Sequence, residues 1–220
     1  MASPSLPGLY ETFSVSLRST IAAGLLAATM ASGSAAFARA PRSCPNPNFT
    51  AIHKRLKPLG DLISKGEGDY NAINRGRAGD TPGGIQGLTG MTFENYTVGQ
   101  VMEMQRTRLY AVGRYQFIPV TLRFAVAHSN VDSLDMFTPD VQDRLMAALI
   151  LYKRPAVGAY LRGDHELEGW ALNELAKEWA SIEYRNGRGF YDHVGGNRAH
   201  ITRAEVSAVL QEIKTSWQNS

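Results

Sequence analysis

The sequence predicts an α+β protein that is mostly α, with a small β or loop subdomain. Apolar residues recur at helical spacing through most of the chain after residue 96. The preceding segment, Tyr70 to Tyr96, is rich in Gly, Asn and Thr and lacks that spacing, which indicates loops with a small hairpin. Hydrophobic residues make up 44% of the 220 residues and charged residues 20%, as in an ordinary globular domain with a buried core.

Residues 1–38 have the features of a secretory signal peptide. Ser19 to Ala38 is a run of 20 uncharged residues that follows Arg18 and ends in the small-x-small triplet Ala36-Phe37-Ala38. We therefore expect an exported protein, periplasmic or extracellular. A run of 20 residues can also span a bilayer, so an uncleaved membrane anchor is the alternative, and a cytoplasmic tail is the third reading. The membrane is a partner only if this segment stays uncleaved.

The rest of the chain is expected to form one domain. Residues 39–57 are interpreted as a linker and N-terminal segment, and residues 58–220 as the folded domain. Pro58 can begin a short helix, and Gly66 and Gly68 stop it.

Two later helices have clear beginnings in the sequence. Thr138-Pro139 is typical of a helix start, and Thr202 and Glu205 have the spacing of a capping box. The capping box is followed by apolar residues at the offsets of a buried helix face.

The sequence lacks the motifs of several common kinds of catalytic and cofactor-binding site. The five histidines show no metal-ligand spacing, and Cys44, the only cysteine, can form neither an intrachain disulfide nor a thiolate metal site. The sequence lacks a phosphate loop and a Gly-x-Ser-x-Gly elbow. We expect no metal and no cofactor. The net charge of +3 suits an anionic polymer but is too small to indicate nucleic acid.

Glu67 is the acid whose position favours catalysis. It lies between Gly66 and Gly68, where the predicted helix stops and the loop-rich segment follows. A general acid for glycosidic cleavage needs a carboxyl that stays protonated near neutral pH, and a partly apolar cleft wall achieves this by disfavouring the charged form. The alternative is a solvated glutamate in a turn, which is the usual state of an acid.

Four motifs in one order strengthen the catalytic interpretation. They are Ser-Lys-Gly-Glu-Gly around Glu67, the stretch 113–116 with sequence Gly-Arg-Tyr-Gln, the stretch 137–143 with sequence Phe-Thr-Pro-Asp-Val-Gln-Asp, and the stretch 179–181 with sequence Trp-Ala-Ser. Together they resemble the phage-lambda endolysin family of lysozyme-like proteins over residues 59–191. The resemblance implies a lysozyme-like fold, with the small β or loop subdomain flanking a cleft. It also implies cleavage of the MurNAc-GlcNAc β-1,4 bond of peptidoglycan with Glu67 as the catalytic residue.

Candidate substrate-binding residues lie in the loop-rich segment, in the Gly-Arg-Tyr-Gln stretch and in a Gly-rich loop near residue 191. Amide and phenol groups suit sugar hydroxyls and N-acetyl groups. Trp179 is expected to lie in the core, since large aromatic residues mostly serve packing. The candidates for glycan contact are Tyr70, Asn71, Arg114, Tyr115, Gln116 and Tyr191.

The number of catalytic carboxylates decides between two reactions. A lytic transglycosylase needs one acid, because the muramoyl C6 hydroxyl replaces water as the nucleophile. A hydrolytic muramidase needs a second carboxylate, for which Asp69 and Asp80 are the candidates. The resemblance favours the transglycosylase.

A function of another class stays open. The chain could bind glycan without cutting it, or serve as a structural part of a secretion or virion assembly. The expected partners are peptidoglycan glycan strands, with a cognate inhibitor or immunity protein as a further candidate, and no nucleic acid.

Overall fold

The computed structural model describes residues 48–194 and 197–218, so the predicted signal peptide and Cys44 lie outside the described residues. The described part is mostly helical, with two small antiparallel sheets. Its α-helices are α1 Phe49–Arg55, α2 Lys57–Glu67, α3 Gly84–Thr89, α4 Val98–Thr107, α5 Pro119–Ala127, α6 Pro139–Ala148, α7 Pro155–Leu161, α8 Glu168–Glu178 and α9 Arg203–Gln218. A π-helical turn, Leu149–Lys153, directly follows α6.

The helix starts predicted from the sequence are confirmed. Helix α2 has Pro58 in its first turn and ends where Gly68 adopts a φ of 129°, a value that favours glycine. Thr138 caps α6 by accepting a hydrogen bond from the amide of Val141. Thr202 and Glu205 form the reciprocal bonds of a capping box at the start of α9.

The loop-rich segment contains more structure than the sequence predicts. Strand β1, Ile73–Asn74, pairs with β2, Ala111–Val112, rather than with a strand of its own segment. Helix α3 was missed because it contains two glycines and is flanked by two more, and glycine disfavours helical winding. The pairing of β1 with β2 brings the chain after Glu67 beside the turn at residues 113–116.

The boundary of the folded domain also differs from the sequence interpretation. Residues 49–55 are helical rather than part of a linker, and Phe49 is buried in the core. The side chain of Asn48 caps this helix by accepting from the amide of Ala51. The apolar core therefore begins before residue 58.

The core is a single cluster of buried side chains contributed by helices from α1 to α9. Trp179 belongs to it, as expected: its indole donates a hydrogen bond to the carbonyl of Tyr115 at 3.1 Å. Strand β3, Glu183–Arg185, pairs with β4, Arg188–Gly189, shortly after this tryptophan. Within residues 48–194 and 197–218, no helix has the length and apolar character needed to cross a membrane.

Candidate active site

Glu67 is the last residue of α2, and Gly68 turns the chain away from the helix directly after it. Its side chain lines a cleft of about 510 Å³. The cleft is also lined by part of the β1 region, the turn at 113–116, the end of the π-helical turn with Arg154 after it, and the end of α8. A carboxyl at this place has one side against the protein and one side toward a space large enough for sugar units.

Ser181 holds the carboxyl of Glu67. Its hydroxyl donates to Oε1 of Glu67 at 2.6 Å and its backbone amide donates to the same oxygen at 3.2 Å. No hydrogen bond to Oε2 is found among the described residues. Because two donors already occupy Oε1, Oε2 is the oxygen that can carry a proton when the carboxyl is neutral.

The Glu67–Ser181 contact requires a glycine at position 66. A Cβ atom on Gly66 would clash with Cβ of Ser181 and would lie 2.7 Å from its hydroxyl oxygen. The segment that carries Ser181 is positioned from the other side as well. The carbonyl of Ser181 accepts from the amides of His200 and Ile201, at 2.9 and 3.0 Å.

Burial raises the pKa of Glu67, because the charged form loses hydration. The two hydrogen bonds from Ser181 and the nearby His200 act in the opposite direction, and the negative charge of Asp80 raises the pKa further. Desolvation outweighs the hydrogen bonds, so the net shift is upward. No sequence pattern indicated His200, which the fold brings close to Gly66 from a distant segment.

The two candidate second carboxylates lie in different places. Asp80 lines the cleft with Glu67, and its Oδ1 accepts from the side-chain amide of Asn74 at 2.8 Å. Asp69 is exposed and accepts from the backbone amide of Asn71 at 2.7 Å, in a separate depression. Asp69 therefore does not line the cleft of Glu67, while Asp80 does and stays a candidate for the second carboxylate.

Arg114 and Tyr70 do not lie where the sequence interpretation put them. Both line the separate depression that contains Asp69, and Arg114 donates to Asp61 and to the hydroxyl of Tyr70, at 2.5 and 2.6 Å. The guanidinium also stacks on the ring of Tyr70, 4.8 Å from its centre. We correct their assignment as glycan ligands of the Glu67 cleft. Both side chains are occupied in an internal polar network.

Asn71 is corrected in the same way. Its side-chain oxygen accepts from the amide of Phe93 at 2.9 Å, and its carbonyl accepts from the amide of Ile85 at 2.8 Å. It does not line the cleft. The residue organises the loop-rich segment instead.

Tyr115, Gln116 and Tyr191 do line the cleft. The hydroxyl of Tyr115, however, donates to Asp143 at 2.6 Å, and that of Tyr191 donates to the carbonyl of Lys177 at 2.8 Å. Gln116 has a φ of 46° and donates its side-chain amide to the carbonyl of Gly113. Tyr115 is only 3% exposed, so the ring of Tyr191 and the amide oxygen of Gln116 are what this group offers the cleft.

The Gly-Arg-Tyr-Gln stretch has an evident structural role. Gln142 is fully buried and accepts from the amide of Arg114 at 2.9 Å, while its own amide donates to the carbonyls of Tyr70 and Phe137. Gly113 is needed because a Cβ there would clash with the side-chain oxygen of Gln142. Two of the sequence motifs thus bond to each other behind the cleft.

One wall of the cleft is a charged cluster that sequence reasoning missed. Glu178, with a side chain only 4% exposed, pairs with Lys153 and Arg154, each at 2.7 Å. Arg154 also pairs with Glu174, which in turn pairs with Lys177. Arg154 and Glu178 are 24 positions apart, so no local spacing could have indicated their pairing.

Among the described residues, no group of three or more His, Cys, Asp or Glu side chains could hold a metal ion. Comparison of the chain with protein-family models, with curated proteins and with solved structures gave no match. The chemistry of the cleft is therefore argued from its own geometry.

Proposed function

We propose that this protein cleaves the β-1,4 glycosidic bond between MurNAc and GlcNAc in peptidoglycan, with Glu67 as the general acid, on a lysozyme-like fold. The observation that carries the proposal is a carboxyl with a raised pKa that lines a large cleft and has one oxygen occupied by Ser181. A neutral carboxyl so oriented can donate its proton to the leaving oxygen of a bound glycan.

The preferred reaction is that of a lytic transglycosylase. Glu67 gives its proton to the glycosidic oxygen as the bond to the anomeric carbon breaks. The resulting carboxylate then takes the proton of the muramoyl C6 hydroxyl while that oxygen bonds to the anomeric carbon. The product is a 1,6-anhydro sugar, and Glu67 regains its proton without the use of water. The endolysin-like motifs support this choice.

Asp80 is the specific observation that favours a hydrolytic muramidase as the second candidate. Its carboxylate lines the same cleft, is exposed, and accepts a hydrogen bond from Asn74. In a two-carboxylate glycosidase, the acid that stays ionised lies in such a polar, partly solvated place. Asp80 would then stabilise the oxocarbenium-like transition state or activate water.

The test is digestion of purified peptidoglycan followed by mass spectrometry of the products. We expect fragments with 1,6-anhydromuramoyl ends. Fragments with reducing MurNAc ends, heavier by one water, would establish the hydrolytic reaction instead. Binding to the glycan without any new ends would overturn the enzymatic proposal and leave a glycan-binding or structural role.

A further inference from the structure

A second depression lies next to the cleft of Glu67 and has a volume of about 570 Å³. It is formed by α8 and β3, and we call it the α8–β3 groove. Lys177 lines both the groove and the cleft, so the two spaces are separated by no more than this residue there. A ligand that extends from the cleft across Lys177 would enter the groove.

The groove is positively charged. Its lining carries the cations Lys177, Arg185 and Arg203 and the single carboxylate of Glu166. Lys177 pairs with Glu174, whereas no ion pair involves the side chain of Arg185 or Arg203 within residues 48–194 and 197–218. The groove therefore offers guanidinium groups that are not held in ion pairs.

Both arginines contact neutral partners. Arg185 lies over the ring of Tyr184, 4.9 Å from the ring centre. Arg203 donates to the side-chain oxygen of Asn173 at 3.0 Å and to the carbonyl of Tyr184 at 2.6 Å. Arg203 is fixed by its two hydrogen bonds and loses little freedom when it binds a carboxylate, whereas Arg185 is exposed; both keep donors available.

The groove also presents an aromatic surface. Trp170, on α8, is 61% exposed although its indole is large and apolar. An exposed tryptophan beside arginines, in a concave surface, has the composition of the centre of a binding site, where Trp and Arg contribute most. Its ring can cover the methyl and methylene groups of a small ligand.

We propose that the α8–β3 groove binds the anionic peptide stem of a glycan strand whose glycosidic bond lies at Glu67, an inference that rests on the proposed function. The stem is attached to the muramic acid, so it leaves the strand next to the cleaved bond. It is a short peptide with free carboxylates and small apolar side chains. The carboxylates match Arg185 and Arg203, and the apolar groups match Trp170.

Binding can be tested without catalysis by using the Glu67→Gln protein. Its affinity for soluble glycan fragments that carry peptide stems is compared with its affinity for fragments from which an amidase has removed the stems. We expect tighter binding of the stem-bearing fragments. Arg185→Gln, added to Glu67→Gln, should weaken that binding about ten-fold, because loss of one charge-assisted contact is worth about 1.4 kcal/mol or more. Trp170→Ala should act in the same direction.

Arg123→Gln is the matched control, because this exposed arginine on α5 lines neither the groove nor the cleft. It should bind both kinds of fragment as the parent protein does. Equal weakening on both fragments in Arg185→Gln would mean that the groove contacts the sugar chain, and no weakening would mean that it is not a substrate site. Either result overturns the proposal. Failure of the proposed reaction would show separately, as a wild-type protein that binds stem-bearing fragments but yields no new glycan ends.

Discussion

The hydroxyl of Ser181 and the carboxyl of Glu67 are joined by a hydrogen bond of 2.6 Å, across 114 positions of the sequence. The amide of Ser181 reaches the same oxygen. Through these two bonds the segment after α8 fixes the orientation of the proposed acid at the end of α2. The pKa and the orientation of this carboxyl should therefore depend on residues of both segments.

Replacing Glu67 by Gln should abolish most of the wall-cleaving activity. The amide keeps the shape of the side chain but cannot give a proton to the leaving oxygen, so the rate should fall by at least about 100-fold. The measurement is the rate of release of soluble fragments from purified peptidoglycan. Full activity in this variant would remove Glu67 from the mechanism.

The same substitution should stabilise the folded protein at neutral pH. The pKa of Glu67 is higher in the folded protein than the value of 4.5 for a free glutamate, so the folded state binds the proton more tightly and loses stability as pH rises between the two values. Glutamine carries no buried charge. The free energy of unfolding, measured in urea, should therefore be similar for both proteins at low pH, and higher for Glu67→Gln above the folded pKa. A difference independent of pH would contradict this account.

Replacing Ser181 by Ala should change the pH profile of the reaction. The hydroxyl of Ser181 lowers the pKa of Glu67, so its loss should raise that pKa and move the fall in activity at rising pH toward higher pH. The maximal rate should also drop about ten-fold, because only the backbone amide of residue 181 then holds the carboxyl in place. The profile of kcat/KM against pH is the measurement.

Ser181→Cys serves as the conservative variant, because a thiol is a weaker donor of similar size. Its profile should lie between those of the wild-type protein and the Ser181→Ala variant. A lower rate with an unshifted profile in both variants would indicate a purely structural role for the serine.

Asp80 and Asp69 allow a test for a second catalytic carboxylate. Asp80→Asn should retain most of the activity in a transglycosylase, because Glu67 acts alone, and the products should keep 1,6-anhydro ends. Asp69→Asn is the control, since Asp69 lies outside the cleft. Loss of activity in Asp80→Asn only, together with reducing ends in the wild-type products, would establish the two-carboxylate reaction.

Replacing Glu178 by Gln should destabilise the protein. The substitution leaves Lys153 without this carboxylate and Arg154 with Glu174 alone, so the cost should lie above the about 1 kcal/mol of an exposed pair and below the about 3–5 kcal/mol of a fully buried one. Glu103→Gln is the control, because the pair of Glu103 with Arg106 is exposed and should change the free energy of unfolding by less than about 1 kcal/mol. Equal changes in the free energy of unfolding in the two variants would contradict a stabilising role for the charged cluster around Glu178.

The sequence predicted the parts of this structure that depend on short-range signals. Proline and glycine set the ends of α2, and the capping box at Thr202 set the start of α9, since each device acts within one helical turn. Glu67 could be singled out for the same reason, as an acid between two glycines at a helix end.

The residues around Glu67 could not be predicted in the same way. Ser181 and His200 reach Gly66 and Glu67 only through tertiary packing, and the direction in which Arg114 points is decided by Asp61, 53 positions earlier. A motif shows that residues occur together but not which face of the molecule receives their side chains. The motif could therefore not show that Arg114 and Tyr70 line a depression other than the cleft of Glu67.

The π-helical turn has a consequence for how the charged wall of the cleft responds to a change in chain length. The amide of Arg154 bonds to the carbonyl of Leu149, five positions back, so the turn holds one residue more than regular helical winding would. Regular winding of the same residues would rotate Arg154 by about 100° about the helix axis, away from Glu178, so the extra residue has to be absorbed in the turn for the pairing to form. Deletion of a single codon within the turn should therefore remove the wide turn and leave the residues that follow in register. In a regular helix such as α8 the same deletion would rotate every following residue by about 100°. The charged wall can thus tolerate the loss of one residue at this place in the chain.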